Sequence, residues 1–108
     1  MIDKVIQKLS KGFNQTFTDY QGMYLFGDSA DGQIYEDIEL AAIFETEDKS
    51  KREQIWPIVG KIETEMDVSI DLYPYTKESF KQDEDIYNEV MKTGIFYNSQ
   101  GIKEMRIK

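Results

Sequence analysis

The sequence predicts an α+β domain in which a mixed β-sheet is covered on one side by helices. Three observations predict it. Apolar residues among the first 14 positions recur at spacings of three and four. Three later stretches, 23–26, 38–44 and 66–73, are short apolar or alternating runs. Charged tracts with helical spacing lie between and after them. At 108 residues, 40% hydrophobic and 13% aromatic, the chain fits a single domain, 1–108, with a small core, and 98–108 forms an extension or tail.

Ile2, Val5, Ile6, Leu9 and Phe13 form one face of an amphipathic helix with Lys4, Lys8 and Lys11 between them, and Gly12 and Asn14 are expected to end it. Met23 to Phe26, bounded by Gly22 and Gly27, suits a buried strand, and Gly27 to Gly32 a loop. Ile38 to Phe44 begins in alternation and reads as a second strand. Asp48 to Met66 reads as a helix, with Ser50 and Glu53 in capping-box spacing and Pro57 kinking or restarting it. Val68, Ile70 and Leu72 alternate with Asp67, Ser69 and Asp71, a third strand over Met66 to Tyr73 that ends near Pro74. From Thr76 a helical tract runs through Phe80, Ile86, Val90 and Met91 to Gly94, and Ile95 to Tyr97 is an edge strand.

Composition narrows the chemistry. Twenty-one acids against thirteen bases give a net charge of −8, which disfavours holding a nucleic-acid backbone by counterion release. Cys and His are both absent, so disulfides, thiolate and imidazole metal sites and histidine acid–base chemistry are excluded. What remains is carboxylate, a hard-oxygen donor suited to Mg²⁺. No stretch reaches membrane-spanning length and none resembles a secretory signal, so a cytoplasmic protein is expected. Asn14-Gln15-Thr16 fits a glycosylation sequon, but without a secretory signal it is expected to be a helix-end loop.

Five acid-x-acid pairs occur where roughly four arise by chance, so context decides between them. Asp37-Ile38-Glu39 opens an otherwise apolar strand after a glycine-bounded loop, and residues two apart on a strand face the same way, ~6.6 Å apart. Such a pair can share a metal. It can equally be two solvated residues on a half-exposed face. Asp71, between Ile70 and Leu72, supplies a third carboxylate if its strand lies beside the first, and three carboxylates from two strands suit Mg²⁺ carrying a nucleotide's phosphates. Glu63, Glu65 and Asp67 read as a solvated helix end, Asp67 being the alternative third acid. Trp56 and the tyrosines are assigned to core and interface contacts, and the basic tail with Lys103, Arg106 and Lys108 either is solvated, the reading preferred here, or touches an acidic partner.

Tyr24-Leu25-Phe26-Gly27-Asp28-Ser29-Ala30-Asp31-Gly32 followed by Asp37-Ile38-Glu39-Leu40 resembles the minimal nucleotidyltransferase (MNT) signature of the polymerase-beta-type nucleotidyltransferase superfamily. Ile70-Asp71-Leu72 resembles its third acidic element, and Glu89 to Tyr97 its helix-glycine-strand ending. The resemblance spans roughly 20–97. It implies that Gly27, Asp28 and Ser29 approach a nucleoside triphosphate, that Asp37, Glu39 and Asp71 hold Mg²⁺, and that Asp71 activates an attacking hydroxyl. It further implies AMP transfer from ATP to a protein hydroxyl by an antitoxin paired with a HEPN-type toxin. Self-association stays open.

The chain departs from that pattern at Asp28, which replaces the family's serine, while Ser29 and Asp31 stand where arginines often follow. An ionised Asp donates no hydrogen bond, and one more negative charge ~4 Å from phosphate costs up to ~4 kcal/mol at an effective dielectric near 20. Either Ser29 takes the serine's role by a one-residue shift, with Asp28 turned outward, or the scaffold has lost transfer and regulates a partner by binding alone.

Overall fold

The computed structural model describes residues 1–31 and 37–106, without the side chains of residues 105 and 106. Gly32, the expected loop end, and Lys108, in the basic tail, lie outside the described residues. Helix α1 spans Ile2–Thr16, and strand β1 spans Tyr20–Phe26. A short 3₁₀ turn, Asp28–Asp31, follows, then β2 at Asp37–Phe44, α2 at Lys49–Met66 and β3 at Ser69–Tyr75. The chain closes with α3 at Lys77–Gln82, α4 at Glu84–Thr93, β4 at Ile95–Asn98 and β5 at Lys103–Arg106.

The expected mixed sheet is present, in the order β3-β2-β1-β4-β5. Among the described residues β2 and β3, joined through α2, run parallel, and the other pairings are antiparallel. Strand alternation sorts the side chains into two layers. Met23, Leu25, Ile38, Leu40, Ala42, Phe44, Ile70 and Leu72 face α1 and α2. All five apolar residues of the α1 stripe are at most 3% exposed. A Cβ on Gly12 would lie 2.8 Å from Ile58 Cγ2, so glycine is what lets α1 approach α2 there. The one-sided helix cover predicted from the sequence is this α1–α2 layer. To it α3 and α4 add a smaller layer on the opposite face, where Phe26, Ala41, Ile43, Tyr75, Phe80 and Val90 are buried.

Several boundaries shift for local reasons. Helix α2 is capped by Asp48, whose carboxylate accepts from Lys51 N at 2.8 Å, rather than by Ser50. It continues through the exposed Pro57 as one helix and keeps Met66, which the sequence reading placed both at the end of the helix and at the start of the strand, before Asp67 stops it in the left-handed region at φ 53°. Strand β3 passes through Pro74 because it is an edge strand. The tract from Thr76 to Gly94 is two helices: Asp83 closes α3 and accepts from Ile86 N to open α4, while also accepting from the Tyr75 hydroxyl at 2.5 Å. Strand β4 is interior rather than an edge, because the tail returns as β5. Asn98 Oδ1 turns the chain by accepting from Gln100 N and Ile102 N. Trp56 is 46% exposed, not core: Ile55, Val59 and Ile62 take the buried stripe of α2, and Trp56 falls outside it. Among the described residues no helix is long and apolar enough to cross a membrane.

Candidate functional site at the carboxylate end of the sheet

β1 ends where β2 and β3 begin. Phe26 pairs with Glu39, Glu39 with Asp71, and Asp37 with Ser69, so neighbouring strands bring the three predicted carboxylates to one end of the sheet. Ile38, Leu40, Ile70 and Leu72 face the α1–α2 core. Alternation therefore turns Asp37, Glu39 and Asp71 to the other face, the one carrying α3 and α4. The hydrophobic pattern that pins the register is what gathers the acids.

Gly27 makes the turn beneath Glu39. Its φ is +75°, and a Cβ there would lie 2.0 Å from Glu39 Oε2. Its amide donates to Thr93 Oγ1 at 3.1 Å, which ties the end of β1 to the last turn of α4, and its carbonyl accepts from Ala30 N at 3.1 Å. Gly27→Ala is expected to cost about 1–3 kcal/mol from backbone strain alone and to displace Glu39. Urea denaturation reads the first effect as a lower midpoint at unchanged slope.

The two residues after Gly27 are oriented oppositely. Asp28 is exposed, whereas Ser29 is 1% exposed and its Oγ donates to the Asp37 carbonyl at 3.3 Å. The Ser29 hydroxyl thus secures the start of β2, and the negative side chain faces solvent.

The electrostatics are those of crowded like charge. Burial, and then the negative charges of Asp71, Glu89, Asp28 and Asp37, push the Glu39 carboxyl above its ordinary value. Asp71 is pushed up by desolvation first, then by the Asp37 charge, a hydrogen bond shared with Asp37, and Glu63. Both groups therefore hold protons more tightly than free carboxyls do. Among the described residues no group of three acids is arranged to hold a metal ion by itself. The donor set instead matches what Mg²⁺ takes in nucleotide sites, one or two carboxylates with phosphate and water oxygens completing the shell.

Three contributors were not assigned to this end of the sheet by sequence reasoning. Glu89 and Thr93 come from α4; their only sequence signal is the helix-glycine-strand ending, which carries no role for either. Glu63, read as a solvated helix-end residue, accepts from Ile70 N at 2.8 Å and so anchors β3 beside its acid. Asp67, the alternative third acid, is instead the terminator of α2.

No protein-family model and no curated protein matches the chain. Solved structures do. A crystal structure of the toxin–antitoxin MntA-HepT is similar at 22% identity with a TM-score of 0.54, over 84% of this chain and 67% of that one. A toxin–antitoxin crystal structure with AMP-PNP is similar at 22% identity and a TM-score of 0.59, over 87% and 71%. A tri-AMPylated Shewanella oneidensis HEPN toxin in complex with MNT antitoxin is similar at 22% identity and a TM-score of 0.57, over 92% and 71%. These likenesses establish the fold as nucleotidyltransferase-like.

Proposed function

We propose that the protein is an MNT-type nucleotidyltransferase that moves AMP from ATP to a hydroxyl of a protein partner, as the antitoxin of a HEPN-type toxin. One observation carries the reading. Asp37, Glu39 and Asp71 converge beside the Gly27 turn, in a fold shared with structures that include a tri-AMPylated HEPN toxin with its MNT antitoxin and a complex with AMP-PNP.

Asp37 and Glu39 are the proposed holders of Mg²⁺. When bound, the ion supplies positive charge for the triphosphate oxygens. Gly27 leaves the loop backbone bare for close approach of the nucleotide. Asp71 accepts the proton of the acceptor hydroxyl as its oxygen bonds to the α-phosphorus and the bond to pyrophosphate breaks. Its raised proton affinity makes it a stronger base than a free carboxylate. Incubating the protein with labelled ATP, Mg²⁺ and the cognate toxin is expected to label a toxin hydroxyl, and Asp37→Asn to abolish the label.

A second reading is favoured by the loop. Asp28 adds negative charge near Glu39, and the Ser29 hydroxyl is committed to the Asp37 carbonyl. A scaffold that regulates its partner by binding alone would leave the toxin unlabelled, and Asp37→Asn would neutralise it as well as the unmodified chain does.

A further inference from the structure

Beside α3 and α4, on the sheet face that carries the three acids but further along the strands, lies a concavity of about 330 Å³. That is within the size range of small-molecule sites. Its position follows from the register. Tyr24 on its floor pairs with Ala41, two residues past Glu39, and Ile43 lies four residues past Glu39, ~13 Å along β2.

The walls are aromatic and held in place by one another. Tyr24 stacks on Phe80 with ring centroids 5.3 Å apart and an interplanar angle of 16°, Phe96 tilts against Tyr24 at 5.0 Å, and Tyr87 meets Phe80 edge-on at 5.2 Å. Tyr24, Tyr87, Phe96 and Met91 are half-buried, so each keeps surface open to the cleft. Burial, and then Tyr87, pushes the Tyr24 hydroxyl above its ordinary value, so it stays a donor. The charge of the cleft is opposite to that of the chain. Exposed Lys77 and Lys81 stand on its wall, and among the described residues no acid lines it, in a protein of net charge −8. Flat aromatic walls select a planar apolar body, and two ammonium groups select an anion attached to it.

We propose that this cleft is a binding site for a small organic anion with a planar aromatic body, distinct from the carboxylate end of the sheet. The inference does not depend on AMP transfer. A free aromatic acid and a nucleotide share this chemistry, and competition separates them. The probe is the fluorescent aromatic anion anilinonaphthalene sulfonate, titrated into the intact chain.

A saturable rise in fluorescence with one site per chain is expected. Affinity should fall at least about tenfold in Lys77→Glu with Lys81→Glu, whose side chains are exposed on α3, and in Met91→Trp, which fills the cleft. Lys8→Glu with Lys61→Glu, on the α1–α2 side, should leave it unchanged, as should Asp37→Asn. Thermal denaturation verifies that each variant is folded, and of the two cleft variants a folded one is sufficient. An aromatic carboxylate should displace the probe, and ATP with Mg²⁺ should not. Absence of saturable binding, or binding unaffected in a folded cleft variant, overturns the site. Displacement by ATP but not by the carboxylate overturns its separateness, making the cleft part of a nucleotide site. Failure of AMP transfer with probe binding intact overturns only the enzymatic reading.

Discussion

Asp71→Asn is expected to lower AMP transfer by two to four decades, the usual contribution of a general base, while making the fold more stable. The two effects have one cause. Asp71 and Glu39 are held close to each other and to Asp37, and their proton affinities are raised by desolvation and by mutual repulsion. A carboxyl whose folded pKa lies above its unfolded value opposes folding when ionised. Stability therefore rises as pH falls through the folded pKa and is lost again above it. Asn carries no charge, so that term disappears. Both acids are solvent-screened, which limits the gain to about 0.5 kcal/mol, or roughly 2–4 °C in Tm for a chain of this size. Thermal melts at neutral pH read it as a higher Tm, and melts across the acid range as a flatter pH profile than that of the unmodified chain. A pair of merely solvated acids, the alternative the sequence left open, gives neither a lost activity nor a gain in Tm.

The readable parts of this molecule are those whose pattern is local. The α1 stripe is complete within 15 residues, and the alternation around Asp37, Glu39 and Asp71 states both the face and the spacing of the acids, so their convergence needed only the parallel pairing of β2 with β3. Asp83 was illegible because one polar residue both ends a helix and starts the next, leaving the helical spacing of the apolar residues nearly continuous. The interior place of β4 depends on a turn built by Asn98 and on the positive φ of Gly101, in a tail whose composition alone suggests solvated lysines. The exposure of Trp56 is implicit in the helical spacing: successive helical residues are ~100° apart, and Ile55 already occupies the buried stripe. The place of Ser29 in the loop after Gly27 suggests a phosphate ligand, but its burial follows from the 3₁₀ turn, which no residue pattern announces.

The largest stability effect is expected at the opposite end of the sheet, where Lys51→Ala should cost about 3–5 kcal/mol. Lys51 is 8% exposed, and its ammonium uses all three donors: Asp19 Oδ2 at 2.5 Å, the Thr46 carbonyl at 2.7 Å and Thr46 Oγ1 at 3.1 Å. It also stands 4.7 Å from the Phe44 ring centroid and 5.4 Å from that of Phe17. Truncation leaves the Asp19 carboxylate, whose side chain is only 15% exposed, without its countercharge. Burial pushes the Asp19 carboxyl up, but the Lys51 and Thr46 hydrogen bonds and the Lys51 charge together outweigh it and hold the group below its ordinary value. A depressed folded pKa contributes stability above the unfolded pKa, and that contribution is lost as pH falls through the folded one. The unmodified chain should thus lose this term on acidification, and Lys51→Ala should lack it at every pH. At 4–8 °C per kcal/mol, the Tm should fall by more than 10 °C. Adding Asp19→Asn should restore part of the loss, because it removes the stranded charge. Phe44 lies five residues along β2 from Glu39, ~16 Å away, so transfer per folded molecule should be unchanged. A variant that lost transfer while remaining folded would show that the clamp also positions the carboxylates.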